Sequence, residues 1–293
     1  MRGVVLAALA LGVMAGGAAA AKDCDRVCVA AAADAALAAF QAAEPGKVLK
    51  GVRITENGRD IRLPDSQLHA VRRITYTHVF MEPAAGAAGV YGAAEAAGGP
   101  EIFSLRLKLK GERITEAETV VARRGEAPVF SPEAMTAKPE WDQVLPAARR
   151  MPREAMIAAA NAYFDGIEAE SGAGVPAAPT CNRYENGAKT TNRPGSPQEG
   201  CKGLAGFAHV EKVRDRRFPL VDEERGLIWA LAVFDIPAAT QPVRREPRSI
   251  LVGELFKLDA GQIQDIEVVM RNVPLGASAG WALPKPPKAK KGS

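Results

Sequence analysis

The sequence predicts an α+β protein made of two tandem copies of one unit, each a helix followed by a long antiparallel sheet. Three observations carry this. The halves of the chain repeat in order, each half opens on a helical stripe of apolar residues, and alternating or β-branched runs follow the stripe. At 293 residues, 47% hydrophobic and 25% charged, the chain has apolar mass for two ordinary cores, and disorder and collagen are excluded.

The first residues read as a secretory signal: Arg2, an apolar run from Val4 to Met14, then Ala18-Ala19-Ala20-Ala21 before Lys22. Residues 1–21 are assigned to it, with cleavage after Ala20 or Ala21. An uncleaved anchor is the competing reading, and the Ala/Gly-rich character of the run counts against it. Cys24 follows Lys22-Asp23, which does not suit lipoprotein processing. A soluble periplasmic or secreted chain is expected, with no stable membrane insertion after cleavage.

The first unit is placed at residues 22–127. Val29, Ala33, Leu37 and Phe40 recur at helical spacing, and strands are expected over 72–80, 102–109 and 114–121. A packed linker over 128–150 carries Pro128, Pro132, Pro139 and Pro146, with Phe130 and Trp141 as anchors. The second unit spans 151–283. Its helix opens after Pro152 and stripes Met156, Ala160, Phe164 and Ile167, and strands are expected over 210–218, 227–234, 250–258 and 263–270. Residues 284–293 form a Lys/Pro tail expected to be disordered.

Three blocks align the copies. Ala36, Phe40 and Glu44 match Ala160, Phe164 and Glu168, and Glu56-Asn57-Gly58 matches Glu185-Asn186-Gly187. The run from Phe80 through Gly86 to Glu95 then matches Leu220 through Gly226 to Asp235, and the match continues to Arg113–Glu118 on Gln262–Glu267.

Of 38 basic residues, Arg2 and four lysines (Lys285, Lys288, Lys290, Lys291) lie in the leader and tail, leaving 33 against 34 acidic. A nucleic-acid partner is therefore not expected. Four cysteines in an oxidising compartment form a disulfide set with three possible pairings, of which Cys24 with Cys28 and Cys181 with Cys201 is favoured. The second pair closes a loop rich in Asn, Gly and Pro. Zinc is disfavoured because no Cys-x-x-Cys occurs and His69, His78 and His209 are scattered. No dinucleotide or phosphate loop is present, so no cofactor is expected.

The strings Cys24-Asp25-Arg26-Val27-Cys28, Thr55-Glu56-Asn57-Gly58, Arg113-Ile114-Thr115-Glu116-Ala117-Glu118 and Cys181-Asn182-Arg183-Tyr184-Glu185-Asn186-Gly187 resemble those of secreted bacterial members of the SnoaL-like, nuclear-transport-factor-like superfamily. The resemblance spans residues 24–281. It implies two tandem cone-shaped domains with curved sheets, packed as a pseudo-dimer within one monomeric chain. It also implies a pocket between helix and sheet. Enzymes and pure binding modules both occur on this fold, so the fold alone does not select a reaction.

Candidate chemistry concentrates in the second copy. Arg183, Glu185 and Asn186 could bind a substrate, with Arg183 and Glu185 sharing one strand face and Tyr184 pointing opposite as a proton donor. Glu185-Asn186-Gly187 also reads as a simple turn. His209 suits acid–base work at neutral pH. Glu254 sits mid-strand among apolar neighbours, where burial would raise its pKa; the competing reading is an ion pair between the copies with Arg106, its repeat partner. Asp222 and Asp235 repeat as Glu82 and Glu95 and read first as turn and strand-end residues, and Glu118 and Glu267 share a structural position. Gly276-Ala277-Ser278-Ala279-Gly280 mimics a serine-hydrolase elbow, but no His follows it; the segment is expected to place Trp281 as a lid over the second domain.

Two function classes follow. The first is a cofactor-independent lyase or isomerase using Tyr184, His209 and Glu254 on a small, partly hydrophobic molecule. The alternative is a non-catalytic module that binds a small molecule or assists another protein. The first copy, poor in candidates, is expected to be structural.

Overall fold

An apolar stripe on a helix needs a surface to cover it, and each half of this chain provides that surface in its own sheet. The computed structural model describes residues 24–42, 44, 46–195, 198–240 and 246–281. The signal-peptide and Lys/Pro-tail assignments lie outside the described residues. In the first copy α1 (Arg26–Ala42) precedes β1 (Arg53–Glu56), β2 (Arg59–Asp60), β3 (Val71–Glu82), β4 (Ala87–Ala96), β5 (Gly99–Lys110) and β6 (Arg113–Arg123). In the second, α2 (Arg153–Glu168) precedes β7 (Ala177–Glu185), β8 (Ala188–Lys189), β9 (Lys212–Asp222), β10 (Leu227–Ile236), β11 (Arg248–Asp259) and β12 (Gln262–Pro274).

The sheets have the same order, β2-β1-β6-β5-β4-β3 and β8-β7-β12-β11-β10-β9. The architecture is α+β, two tandem cone-shaped units, helix first. The sheets are mixed where wholly antiparallel ones were expected: β1 runs parallel to β6, and β7 to β12. Residue alternation reports which face a side chain occupies and is blind to strand direction, so the sequence could not show this.

The seven strands expected from the sequence form, most of them longer by a few residues, and β9 starts two residues later than expected. Five were unforeseen: β1, β2, β4, β7 and β8. The Ala/Gly-rich run of β4 is almost wholly buried, and small residues are required there by neighbouring rings. A Cβ at Gly89 would lie 2.0 Å from the Phe80 ring, and one at Gly92 would lie 2.2 Å from Phe103. Asn57 and Asn186 adopt φ of 51° and 42°, followed by glycines at 80° and 81°, so both Asn-Gly pairs are hairpin turns.

Each helix packs on the inner face of its own sheet. Val29, Ala33, Leu37 and Phe40 join Val90, Phe103 and Leu105, while Met156, Ala160, Phe164 and Ile167 join Ile228, Val252 and Phe256. The outer faces of the sheets meet in a third core that includes Phe80, Tyr91, Trp141, Trp229, Leu231 and Leu255. Phe80 meets both Tyr91 and Trp229 edge-on at 5.2 Å. The Tyr91 hydroxyl donates across this interface to the carbonyls of Gly253 and Glu267, and the linker contributes the fully buried Trp141.

Charges lock the copies together. Arg26 at the start of α1 binds Asp222 of the second copy at 2.8 Å, and Arg153 at the start of α2 binds Glu82 of the first at 2.6 Å. These reciprocal pairs, with the matching burial of Val29 and Met156 and of Leu37 and Phe164, correct the helix alignment by three residues: Phe40 corresponds to Ile167. Asp235 pairs with Arg214 and Glu95 with Arg73, which gives both repeat positions a strand-pairing role. Glu118 is held by Arg106 and Arg217, and Glu267 by Lys138.

The alternative Arg106–Glu254 pair does not form. Lys108 opposes Ala87 as Lys257 opposes Leu227, so Glu254 corresponds to Leu105. A one-residue shift changes the sheet face: Arg106 points to the interface and binds Glu116 and Glu118, while Glu254 points to the helix. Trp281 is also displaced from its expected place. It lies over the first copy, between the guanidinium groups of Arg53 and Arg106, and its indole N–H donates to Thr55 Oγ1 at 2.8 Å.

Tyr91→Phe removes one donor shared by two buried carbonyls, so it should lower the unfolding free energy by about 1–2 kcal/mol. Because the donor bridges the copies, urea melts followed by circular dichroism and by tryptophan fluorescence should still coincide. Separate transitions for the two signals would contradict the shared interface core.

Candidate functional site

Three helix-facing positions distinguish the inner core of the second copy from the first. Ala36, Ile54 and Leu105 correspond to Tyr163, Arg183 and Glu254. Between α2 and the sheet these residues line a cavity of about 260 Å³, walled by Phe234, Ile250, Val252, Val268 and Met270. In the first copy the gap beside Leu37, Phe40 and Phe103 is about 10 Å³. Apolar side chains fill that core, whereas the second is hollow and lined in part by polar groups.

Strand register sets the geometry. Ala230, Glu254, Val268 and Glu185 lie in one row across β10, β11, β12 and β7, so the two carboxyl groups flank Val268 on the same face. Arg183, two residues before Glu185, lies one step along β7. It is 1% exposed and its Nε donates to Glu185 Oε1 at 2.8 Å. Its Nη2 donates to Gln198 Oε1 at 2.6 Å, its Nη1 reaches the Tyr163 oxygen at 3.4 Å, and its plane lies 4.7 Å from the Phe207 ring centre. Burial opposes the Arg183 charge, but Tyr163 and Glu185 outweigh it and the guanidinium pKa is raised. The buried charge is thus paired and hydrogen-bonded, as a buried cation must be.

Glu254 is 2% exposed, and its Oε2 is buried without a hydrogen bond. Desolvation pushes its pKa up to about 8; Arg183 and a hydrogen bond from Tyr163 hold it down, while Glu185 adds to the rise. Tyr163 is itself fully buried and its pKa is raised, chiefly by desolvation, so the phenol stays neutral. Its oxygen takes the Arg183 contact, which leaves the phenolic proton for Glu254. The result is a neutral donor beside a carboxyl that changes charge near neutrality.

The Cys181–Cys201 bridge ties down the loop that brings Gln198 to Arg183, and Asn192 reinforces it with a bond to the Cys181 carbonyl at 3.0 Å. Cys24 and Cys28 are also bridged. Two disulfides suit an oxidising, extracytoplasmic compartment. Among the described residues no helix is long and apolar enough to cross a membrane, and no group of His, Cys, Asp and Glu could hold a metal ion.

Of the residues singled out in the sequence, Arg183, Glu185, His209 and Glu254 line this cavity. His209 is half-buried and stacks on Phe207 with ring planes 15° apart. Tyr184 does not reach the cavity. Alternation turns it to the outer face, where the Lys138 ammonium sits 4.1 Å from its ring centre. Asn186 is structural, since its side chain bonds the backbone of Val129 and Met270, just as Asn57 accepts from Val121 N–H. Tyr163 and Gln198 were missed. The signal for Tyr163 was a hydroxylated aromatic beside Phe164 on the buried helix face, and Gln198 gave none.

A family model described as a domain of unknown function (DUF8021) matches residues 149–270, which include the cavity lining except Pro128 and Val129. No curated protein sequence matches the chain. A protein of unknown function with a cystatin-like fold from Methylobium petroleophilum PM1 is similar at 16% identity and a TM-score of 0.32, over 41% of this chain and 78% of that one. PrhC from Penicillium brasilianum NBRC 6234 is similar at 17% identity and a TM-score of 0.30, over 40% and 81%.

The raised Glu254 pKa sets a pH dependence of stability. Below pH 4.5, its ordinary value, folded and unfolded chains are both protonated and its contribution is fully present. Between 4.5 and about 8 only the unfolded chain ionises, so stability is lost through that window and then levels off. Glu254→Gln should therefore match the wild type near pH 4.5 and exceed it by roughly 4 kcal/mol at pH 8. Urea melts at both pH values measure the difference; a gap that does not change with pH would contradict the burial of an ionisable Glu254.

Proposed function

We propose that the second-copy cavity is the active site of a cofactor-independent isomerase or lyase that moves protons on a small, partly hydrophobic carbonyl compound. The observation that supports it most is Glu254: a carboxyl group with one unpartnered oxygen in an apolar pocket, with a pKa near 8. At pH 7 about one molecule in ten holds it ionised, a usable fraction of a base far stronger than an ordinary carboxylate.

The ionised carboxylate takes a proton from carbon next to the substrate carbonyl. The electron pair moves onto the carbonyl oxygen, where the neutral Tyr163 hydroxyl donates a hydrogen bond to the developing enolate. Glu254 then holds the proton. Its return to another carbon gives an isomer; departure of a leaving group from the β-carbon gives an elimination. Arg183 remains paired with Glu185 and fixes the Tyr163 oxygen, so it is a positioning residue. The substrate would be met outside the cytoplasm, where the disulfides persist.

Exchange of α-hydrogen for solvent deuterium reads the first step without knowledge of the product. Proton NMR on small ketones such as butyrophenone should show exchange accelerated by the protein, rising with pH to a plateau above 8. Glu254→Gln should slow it by roughly 10²–10⁴-fold, and Tyr163→Phe by a smaller factor. A protein that binds the ketone yet leaves exchange at the solution rate would instead be a capture module.

A further inference from the structure

The cavity is polar at both ends and apolar between. At the deep end stand Tyr163 and Glu254, both shielded from solvent. Phe234, Ile250, Val252 and Met270 form the middle. At the mouth stands Arg193, which lines the cavity and is exposed to solvent. Among the described residues no carboxylate pairs with Arg193. Glu185, on the cavity wall, is already held by Arg183. Among the described residues, the positive charge at the mouth therefore has no carboxylate partner, and the floor carries a carboxyl that would repel an anion whenever ionised.

From this polarity we infer that the cavity takes a small amphiphilic carboxylate: a carbonyl at the deep end, an apolar body along the wall, and the carboxylate outward against Arg193. The carbonyl end rests on the proton-transfer reading above; the anionic end rests on the mouth alone. Orientation follows from charge, because the reversed pose sets carboxylate against Glu254 and leaves Arg193 facing an apolar group. Size follows from volume. About 260 Å³ is room for roughly nine waters, or a ligand of about a dozen non-hydrogen atoms. The guanidinium fork offers the carboxylate a bidentate contact that a neutral ketone cannot accept.

Calorimetric titration of the full chain with 7-oxooctanoate and with octan-2-one separates the parts. The two share a methyl ketone and an alkyl chain and differ chiefly in the carboxylate. The acid should bind at least about tenfold more tightly to the wild type, with an advantage that shrinks as salt is added. Arg193→Gln should erase the advantage and leave octan-2-one affinity unchanged, which also shows that the variant folds. Equal affinities, no saturable binding of the acid, or an advantage that survives Arg193→Gln would overturn the assignment. Deuterium exchange keeps this test apart from the function proposed above. Arg193-dependent binding without exchange upholds the ligand class and rejects proton transfer, whereas exchange without carboxylate preference does the reverse.

Discussion

The back-to-back packing of two sheets is the constraint on which the rest of this molecule depends. A six-stranded sheet with one helix on its inner face still presents an apolar outer face, and here each copy covers that of the other. Phe80, Tyr91, Trp141 and Trp229 fill the gap, and reciprocal ion pairs from the first residue of each helix fix the relative orientation. Each joins a part-buried arginine of one copy to a shielded carboxylate of the other, and a pair at each side of the shared core sets register. The arrangement explains why β11 is buried along nearly its whole length, with Ile250, Val252 and Phe256 inward and Leu251 and Leu255 outward.

With that support in place, the two inner cores were free to diverge. The first is closed by Leu105, Ile54 and Ala36, and its small-residue strand lets the Phe103 ring lie tight against the sheet at Gly92. In the second, three replacements at the corresponding positions bring a phenol, a guanidinium and a carboxyl into one space. Burying three polar groups costs stability, and the cost is partly offset because Arg183 finds Glu185, Gln198 and Tyr163 at once. Glu254 is left out of that network on one oxygen. That oxygen is buried without a partner, and protonation of the carboxyl lowers the cost.

Much of the site was legible in the chain because its first ingredient is alternation. Arg183 and Glu185 are two apart and must share a face, and a glutamate amid Leu, Val and Phe must be buried if the strand is. Tyr184 was misjudged for the complementary reason: its residue type suited the chemistry, but its parity put it on the outer face beside Lys138. The Arg106–Glu254 pairing failed by a single residue in the alignment of β5 with β11, an error invisible in two apolar strands and decisive for the direction of a side chain.

The sequence by itself determined the repeat, the helix-first order, most of the long strands, the Asn-Gly turns and the shared face of Arg183 and Glu185. Each of these follows from local periodicity or from the backbone demands of a few neighbouring residues. Only the tertiary structure decided that β1 and β7 pair in parallel, that Trp281 covers the first copy, and that Tyr163 from a helix meets Glu254 from a strand 91 positions away. Those facts depend on strand direction and on which of several apolar surfaces come together. Such choices are made by the packing of the whole chain and leave no periodic trace in any one segment.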